Sequence, residues 1–386
     1  MTCSQYAIQN LYASPWRIAL CLTGGGSRIA SDLLTVPGAS STLLDLVIPY
    51  SAASLTEYLG KTPQQFCSRE SALSMASVAW QKAVRFSKSP EHDPAHCLGV
   101  SGTASLISTR PKRGEHRIWI ATESADSSRV MSLALKKGLR TRFEEEAIAA
   151  DLLLYAINDA CGLTPPPLPN LNMDETVSIE FETVHPAIAQ LRSGSSVIAW
   201  SLPDGNITET IPQPPRGLLS GSFNPSHVGH RNLRSVAEEL IGGPVHFELP
   251  LINADKPPLN CFEIEQRRRQ FDDVPLALST APLFVDKARL FPGITFVVGY
   301  DTAVRILEPR FYDDREHGVK SSLEAIGSLG CRFLVAGRLT DFGFQSVNDL
   351  TIPSELQDLF APIPEKRFRE DISSSGIRNG GTAKQE

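Results

Sequence analysis

Four prolines fall within the nine residues Thr164–Asn172, TPPPLPNLN, and neither a helix nor a strand runs through such a stretch. A chain of 386 residues exceeds what one hydrophobic core usually fills, so a break at this point predicts two domains. The expected division is a first domain over 1–162, a proline-rich linker over 163–174 and a connecting segment over 175–212. A second domain over 213–378 and a polar tail over 379–386 complete it.

Composition narrows the class of partner. Hydrophobic residues make up 41% and charged residues 21%, as in an ordinary soluble globular protein. A net charge of −6 offers no electrostatic reason for a nucleic-acid partner or an anionic membrane, and neither is expected. No apolar run approaches the roughly 20 residues needed to span a bilayer. Met1–Trp16 has no basic region followed by an apolar core, so no secretory signal is expected. The seven cysteines, at 3, 21, 67, 97, 161, 261 and 331, are odd in number and contain no C-x-x-C pair. That pattern predicts reduced thiols in a cytoplasmic setting, without a disulfide framework or a structural zinc site.

Periodicity predicts α/β architecture in both halves. In the first, a strand over Arg17–Leu22 runs into Thr23-Gly24-Gly25-Gly26, and a helix begins at Ile29–Leu34. Further strands are expected at Leu43–Tyr50, Cys97–Val100, Arg117–Ala121 and Arg129–Leu135, with helices over Ser68–Phe86 and Thr141–Ala160. Phe143, Ile148, Leu152 and Tyr155 are placed on the apolar side of the last helix. The connecting segment carries strands at Val177–Glu182 and Ser196–Ser201 that belong to neither half. From Gly217 a strand, a loop and a helix over Gly229–Leu240 precede strands at Val245–Leu251, Leu276–Ser279, Thr295–Val298 and Arg332–Ala336. This βαβα rhythm predicts a doubly wound parallel sheet, Rossmann-like in form.

The loop after the Gly217–Ser220 strand reads Gly221-Ser222-Phe223-Asn224-Pro225-Ser226-His227-Val228-Gly229-His230. In an open α/β sheet, a strand-to-helix junction of this kind lies at the carboxyl edge, where ligands bind. Gly221 and Gly229 permit close backbone approach, and the helix start supplies free N–H groups and a positive dipole end. His227 and His230 stand about one turn apart, so both imidazoles can face one polyphosphate. Phosphoryl transfer needs in-line positioning and donors on the spreading charge, which these residue types supply. Near the other end, Ile372-Ser373-Ser374-Ser375-Gly376-Ile377-Arg378 offers three hydroxyls and a guanidinium that can hold an anion, or simply cap a helix.

Together the two motifs resemble those of the H-x-G-H nucleotidyltransferases, specifically the nicotinamide/nicotinate mononucleotide adenylyltransferases, over roughly residues 216–378. Ser375 stands where that family has Thr. The resemblance implies that Gly221, Ser222, Phe223, Asn224 and Gly229 form the nucleotide loop, and that His227 and His230 bind the triphosphate and stabilise charge at its α-phosphate. It further implies that Ser373, Ser374, Ser375 and Arg378 hold the β- and γ-phosphates, with Mg²⁺ accompanying ATP or another nucleoside triphosphate. Lys256, after the Val245–Leu251 strand, matches a family lysine near the incoming phosphates, or is a solvated loop residue. Gly299 and Asp301 match a G-x-D element that contacts the nucleoside; Asp301 reads equally well as a helix N-cap.

One departure concerns the acceptor. The family stacks its pyridine on a mid-domain Trp, whereas the four Trp here, 16, 80, 119 and 200, all precede the motif domain. Phe284 or Phe291 is the substitute expected. A phosphorylated small-molecule acceptor follows from the resemblance, with another acceptor, or CTP as donor, left open.

In the first half, Ala19-Leu20-Cys21-Leu22-Thr23-Gly24-Gly25, Val36-Pro37-Gly38-Ala39-Ser40, Tyr50-Ser51 and Val100-Ser101-Gly102 resemble the CinA C-terminal family of nicotinamide-nucleotide amidases. The departures fall on the chemistry: the family's nucleophilic serine is Cys21 and its lysine is Leu55. Cys21 is read as a buried small residue rather than a nucleophile, although His92, His96 and His116 are free to approach in space. The Thr23–Gly26 loop retains the composition to bind a phosphorylated ligand. Both resemblances converge on a pyridine mononucleotide, and the amidase likeness implies possible homo-oligomers through the first domain. A non-catalytic nucleotide-binding or assembly protein is the reading from another class.

Overall fold

A computed structural model describes residues 2–87, 93–110, 112–211, 213–252, 256–312, 315–341 and 343–370. The chain divides into two compact units, one of Met1–Ser195 with Asp255–Ile264 and one of Ser196–Ala254 with Glu265–Glu386.

In the first unit the described strands are β1 (Arg17–Thr23), β2 (Leu43–Val47), β3 (Cys97–Ser105), β4 (His116–Glu123), β5 (Ser127–Leu135) and β6 (Ser178–Thr183). They lie in the order β2-β1-β3-β4-β5-β6. β1 pairs parallel with β2 and β3, and the remaining pairs are antiparallel. Period-two alternation on β1 separates two cores. Ile18, Leu20 and Leu22 pack with helices Cys3–Tyr12, Arg28–Thr35 and Arg142–Ala160. Ala19 and Cys21 pack with helices Ala52–Leu59 and Arg69–Phe86 on the other face. The result is an α/β/α layering.

Local signals account for the helix ends. Ser68 caps Arg69–Phe86 by accepting from the Ser71 N–H, and Thr141 forms a reciprocal capping box with Glu144 ahead of Arg142–Ala160. Phe143 departs from expectation. Ile148 and Leu152 are buried, but Phe143 lies in the first turn with 76% of its surface exposed.

Residues 175–212, expected as a connecting piece, are shared out by hydrogen bonding: Ser178–Thr183 completes the first sheet, whereas Ile198–Ser201 joins the second. The Asp255–Ile264 segment, expected in the second half, groups with the first unit. There the Cys261 N–H donates to Ser128 Oγ at 2.8 Å, and Arg192 donates to Cys261 Sγ at 2.8 Å while ion-pairing with buried Glu123.

The second unit holds β7 (Ile198–Ser201), β8 (Ile207–Thr208), β9 (Gly217–Ser220), β10 (Val245–Pro250), β11 (Leu276–Ser279), β12 (Thr295–Gly299) and β13 (Arg332–Ala336), then β14 (Arg338–Thr340), β15 (Gly343–Gln345) and β16 (Phe360–Ile363). Its main sheet runs β16-β13-β12-β9-β10-β11-β7-β8, and β14 pairs with β15 as a separate hairpin. β16 through β11 are mutually parallel, while β7 and β8 close the far edge antiparallel. The chain builds outward from β9 to β11, then restarts on the other side of β9 with β12. This is the doubly wound order expected, with its switch point between β9 and β12. Among the described residues no helix is long and apolar enough to cross a membrane.

Beneath the carboxyl ends of β9, β10 and β11 lies a buried polar knot. Lys287 Nζ donates to Glu248 Oε2 at 2.5 Å and to Ser220 Oγ at 3.4 Å, and Ser279 Oγ donates to Glu248 Oε1 at 2.5 Å. Breaking one side of such a pair leaves an uncompensated buried charge. Lys287→Met should therefore destabilise the second unit by about 3–5 kcal/mol. Lys287→Met with Glu248→Leu should recover most of that loss. Hydrogen exchange across β9, β10 and β11 measures both.

Candidate functional site

The site is built where β9 ends. The chain leaves the sheet with the Gly221 N–H donating to the Glu248 carbonyl at 3.0 Å, and helix Val228–Ile241 begins after His227. Phe223, only 1% exposed, turns its ring under the loop against His230, Phe247 and Phe271, with centroids 5.1, 5.3 and 5.0 Å away. Its backbone adopts φ 43°, a left-handed conformation unusual for a residue with a Cβ. The Asn224–Pro225 peptide is cis. Gly221 is required by the same wedge, since a Cβ there would meet the Phe223 ring at 2.7 Å. At Gly229 a Cβ would stand 3.1 Å from His227 Nδ1.

The two histidines come together as expected. Their rings stack with centroids 3.8 Å apart and an interplanar angle of 28°. The His227 backbone N–H donates to His230 Nδ1 at 3.2 Å, so neutral His230 keeps its proton on Nε2. Burial, reinforced by the neighbouring His227, lowers the His230 pKa to about 4. Burial also lowers the His227 pKa, opposed by the charge of Glu370. His230 is thus a neutral N–H donor near pH 7. His227 Nδ1 and Ser226 Oγ are buried without a hydrogen-bond partner among the described residues. Orphaned polar atoms of this kind are costly unless something polar meets them.

Three features escaped the sequence reading. Gln270 receives the Ser226 N–H on Oε1 at 2.7 Å and donates from Nε2 to the Phe223 carbonyl at 3.1 Å. Buried Arg267 donates to the Ser222 carbonyl at 3.2 Å. Glu370 accepts from Asn232 Nδ2 at 2.6 Å, and Arg367 ion-pairs with Glu239, so residues 367–370 lie along helix Val228–Ile241. Only the Q-R-R-R-Q run at the end of helix Cys261–Arg268 hints at the first two, and periodicity assigns it no role.

The remaining expected residues divide. Ser373, Ser374, Ser375 and Arg378 lie outside the described residues, but the segment that carries them begins just beyond Glu370. Gly299 ends β12 across the switch point and serves as N-cap of helix Tyr300–Ile306. Asp301 is therefore not the N-cap; it sits in the first turn and ion-pairs with Arg338, its side chain 56% exposed. Lys256 is exposed and falls on the segment grouped with the first unit. Phe284 packs on Phe296 and Phe333, and Phe291 on Trp200; both phenylalanines are half-buried at the margin of the apolar core. Trp200 itself lies on β7 inside the second unit, buried against His246.

In the first unit Cys21 is fully buried, and desolvation pushes its thiol pKa up to about 12. Leu55 packs in the same core. His116 is held by Glu145 at 2.7 Å and His96 by Asp93 and the Trp16 ring; His92 lies outside the described residues. Just after the Thr23–Gly26 loop the chain sets an anion of its own. Glu146 Oε1 accepts from Ser27 Oγ at 2.8 Å and from the Arg28 N–H at 3.3 Å. Burial opposes its ionisation, but the Ser27 hydroxyl and the backbone of Gly26, Arg28 and Ser27 outweigh burial and hold its pKa below the usual range.

Fold and site together define a two-unit α/β protein whose second unit is doubly wound and carries a histidine-bearing turn at its switch point. No protein-family model matches the chain, and no curated protein matches it. Among solved structures it is similar to the competence/damage-inducible protein CihA of Agrobacterium tumefaciens, at 14% identity over 42% of this chain and 97% of that one, TM-score 0.32. A competence-damaged (CinA) superfamily protein of Escherichia coli is similar at 14% identity over 40% of this chain and 86% of that one, TM-score 0.31. One from Klebsiella pneumoniae 700603 is similar at 10% identity over 42% and 96%, TM-score 0.31.

Two measurements check this geometry. A His with a depressed pKa costs nothing while neutral, so its share of stability is intact above the unfolded value of 6.5 and is lost as pH falls towards about 4. His230→Asn should flatten the stability profile across that window, and NMR titration should show no His230 transition above about pH 5. A thiol reagent should label exposed Cys3 under native conditions and leave Cys21 unmodified until unfolding.

Proposed function

We propose that the second unit is a nucleotidyltransferase that joins a phosphorylated small molecule to the α-phosphate of a nucleoside triphosphate. The observation that carries this reading is the turn itself: two stacked, neutral histidines at a helix start, beside the switch point, with Ser226 Oγ and His227 Nδ1 lacking a hydrogen-bond partner among the described residues. A polyphosphate is the ligand that such donors fit. On this reading, and on the strength of the sequence resemblance alone, Ser373, Ser374, Ser375 and Arg378 hold the β- and γ-phosphates.

In the proposed reaction an acceptor phosphate oxygen forms a bond to the α-phosphorus as the bond to the β-phosphate oxygen breaks, and pyrophosphate leaves. His230 Nε2–H donates to charge gathering on the α-phosphate, and His227 assists from its stacked position. Mg²⁺ accompanying the triphosphate would neutralise part of its charge. ATP with nicotinamide or nicotinate mononucleotide is the first pair to assay, on the strength of the two sequence resemblances. The buried position of Trp200 takes it out of pyridine stacking, whereas half-buried Phe284 and Phe291 keep part of each ring exposed.

Pyrophosphate release should be measured with MgATP and MgCTP against each mononucleotide, with calorimetric binding in parallel. His230→Ala should lower turnover by about 100-fold or more in the productive pair, the usual cost of losing a transition-state donor. Triphosphate binding without release from any pair, or full turnover by His230→Ala, would overturn the reading and leave a non-catalytic nucleotide-binding protein.

A further inference from the structure

We propose that Gln270 is a positioning residue for His227, acting through the backbone of the motif turn without touching substrate. The inference rests on the reading of the turn as a polyphosphate site, and its test is built to separate the two.

The turn Phe223–Ser226 has poor means of holding its own shape. Phe223 is left-handed without being glycine, and Pro225 has no N–H to give. The closure is made from outside. The Gln270 carboxamide receives the Ser226 N–H at 2.7 Å and donates to the Phe223 carbonyl at 3.1 Å, so it bridges both ends of the four-residue turn. This task needs one acceptor and one donor, a fixed distance apart on one flat group. Flipping the amide would set donor against donor and acceptor against acceptor. Nε2 also reaches the carbonyls of Arg267 at 3.3 Å and Gln266 at 3.4 Å, both longer than its contact with Phe223.

Gln270 is itself held. Its backbone carbonyl accepts from Arg231 Nη2 at 3.2 Å, and Arg231 ion-pairs with Asp273. Arg231 follows His230 on helix Val228–Ile241, so the clasp ties the turn that precedes the histidines to the helix that carries them. Ser226 is the immediate neighbour of His227, and the hydrogen bond to its N–H sets the direction in which the chain reaches the stacked pair. A donor misplaced by about 1 Å costs up to about 100-fold in rate, with little change in ground-state binding.

The test is a double-mutant cycle in the full chain with MgATP and the productive acceptor. Gln270→Ala should lower kcat about tenfold or more with less than about a twofold change in KM for the triphosphate. Gln270→Glu keeps the length and the acceptor but turns an oxygen on the Phe223 carbonyl, and should lose about as much. Placed on His227→Ala, Gln270→Ala should add less than about twofold, because the residue it positions is gone. Equal losses in both backgrounds, or full kcat in Gln270→Ala, would overturn the proposal. NMR supplies an arm independent of activity: the His227 ring resonances should shift in Gln270→Ala while those of His116 stay in place. A wild-type chain that releases no pyrophosphate sinks the transferase reading alone. The clasp then stands or falls on whether the His227 resonances move.

Discussion

The ring of Phe223 lies under the motif turn, wedged between His230, Phe247 and Phe271, and the backbone above it is left-handed as a consequence. A non-glycine residue held in that region costs on the order of 1–3 kcal/mol, which persists only where surrounding contacts over-determine it. Burial of a whole phenyl ring contributes about 1.5–3 kcal/mol, enough to offset it. The shape of the motif turn depends on this exchange. It pulls the loop down onto the sheet, demands glycine at 221, and leaves His227 and His230 stacked at the start of their helix. Beneath it, the Lys287–Glu248 pair with Ser220 and Ser279 anchors the strand ends from which the loop departs.

The two units treat the same strand-turn-helix junction in opposite ways. Each has a strand, a glycine-containing turn and a helix start, the arrangement that collects N–H donors at one point. In the first unit the chain supplies its own anion: Glu146, from helix Arg142–Ala160, takes the donors of Ser27 and Arg28. The neighbouring thiol of Cys21 is sealed in an apolar layer where ionisation is strongly opposed. In the second unit the corresponding polar atoms, His227 Nδ1 and Ser226 Oγ, lack a partner among the described residues.

Much of the fold was legible because its strands are short, apolar and bounded by turn residues. Gly217–Ser220, Leu276–Ser279 and Arg332–Ala336 begin and end where their sequences say. The histidine turn was legible because its glycines and its two histidines one turn apart stand at fixed local spacing between a strand and a helix. Phe143 misled because helical spacing fits it to the apolar face, yet in the first turn of its helix it stands exposed. Asp301 read equally well as a nucleoside contact or as a helix cap, and the second is ruled out because Gly299 occupies the cap position. Gln270 and Arg267 were invisible, since their partners are backbone atoms about 45 residues away in sequence, and no side-chain pattern marks a carbonyl as a future acceptor.

By itself, then, the order of residues determined the α/β class, the position of most strands and the pair of imidazoles one turn apart, because these follow from local periodicity and covalent spacing. Only the tertiary structure decided that Ile198–Ser201 joins the second sheet, that Glu146 fills the first unit's turn, and that a glutamine clasps the second's. Those choices depend on which hydrogen-bonding groups meet once the layers close. They are set by distance in space, and the sequence records distance only along the chain.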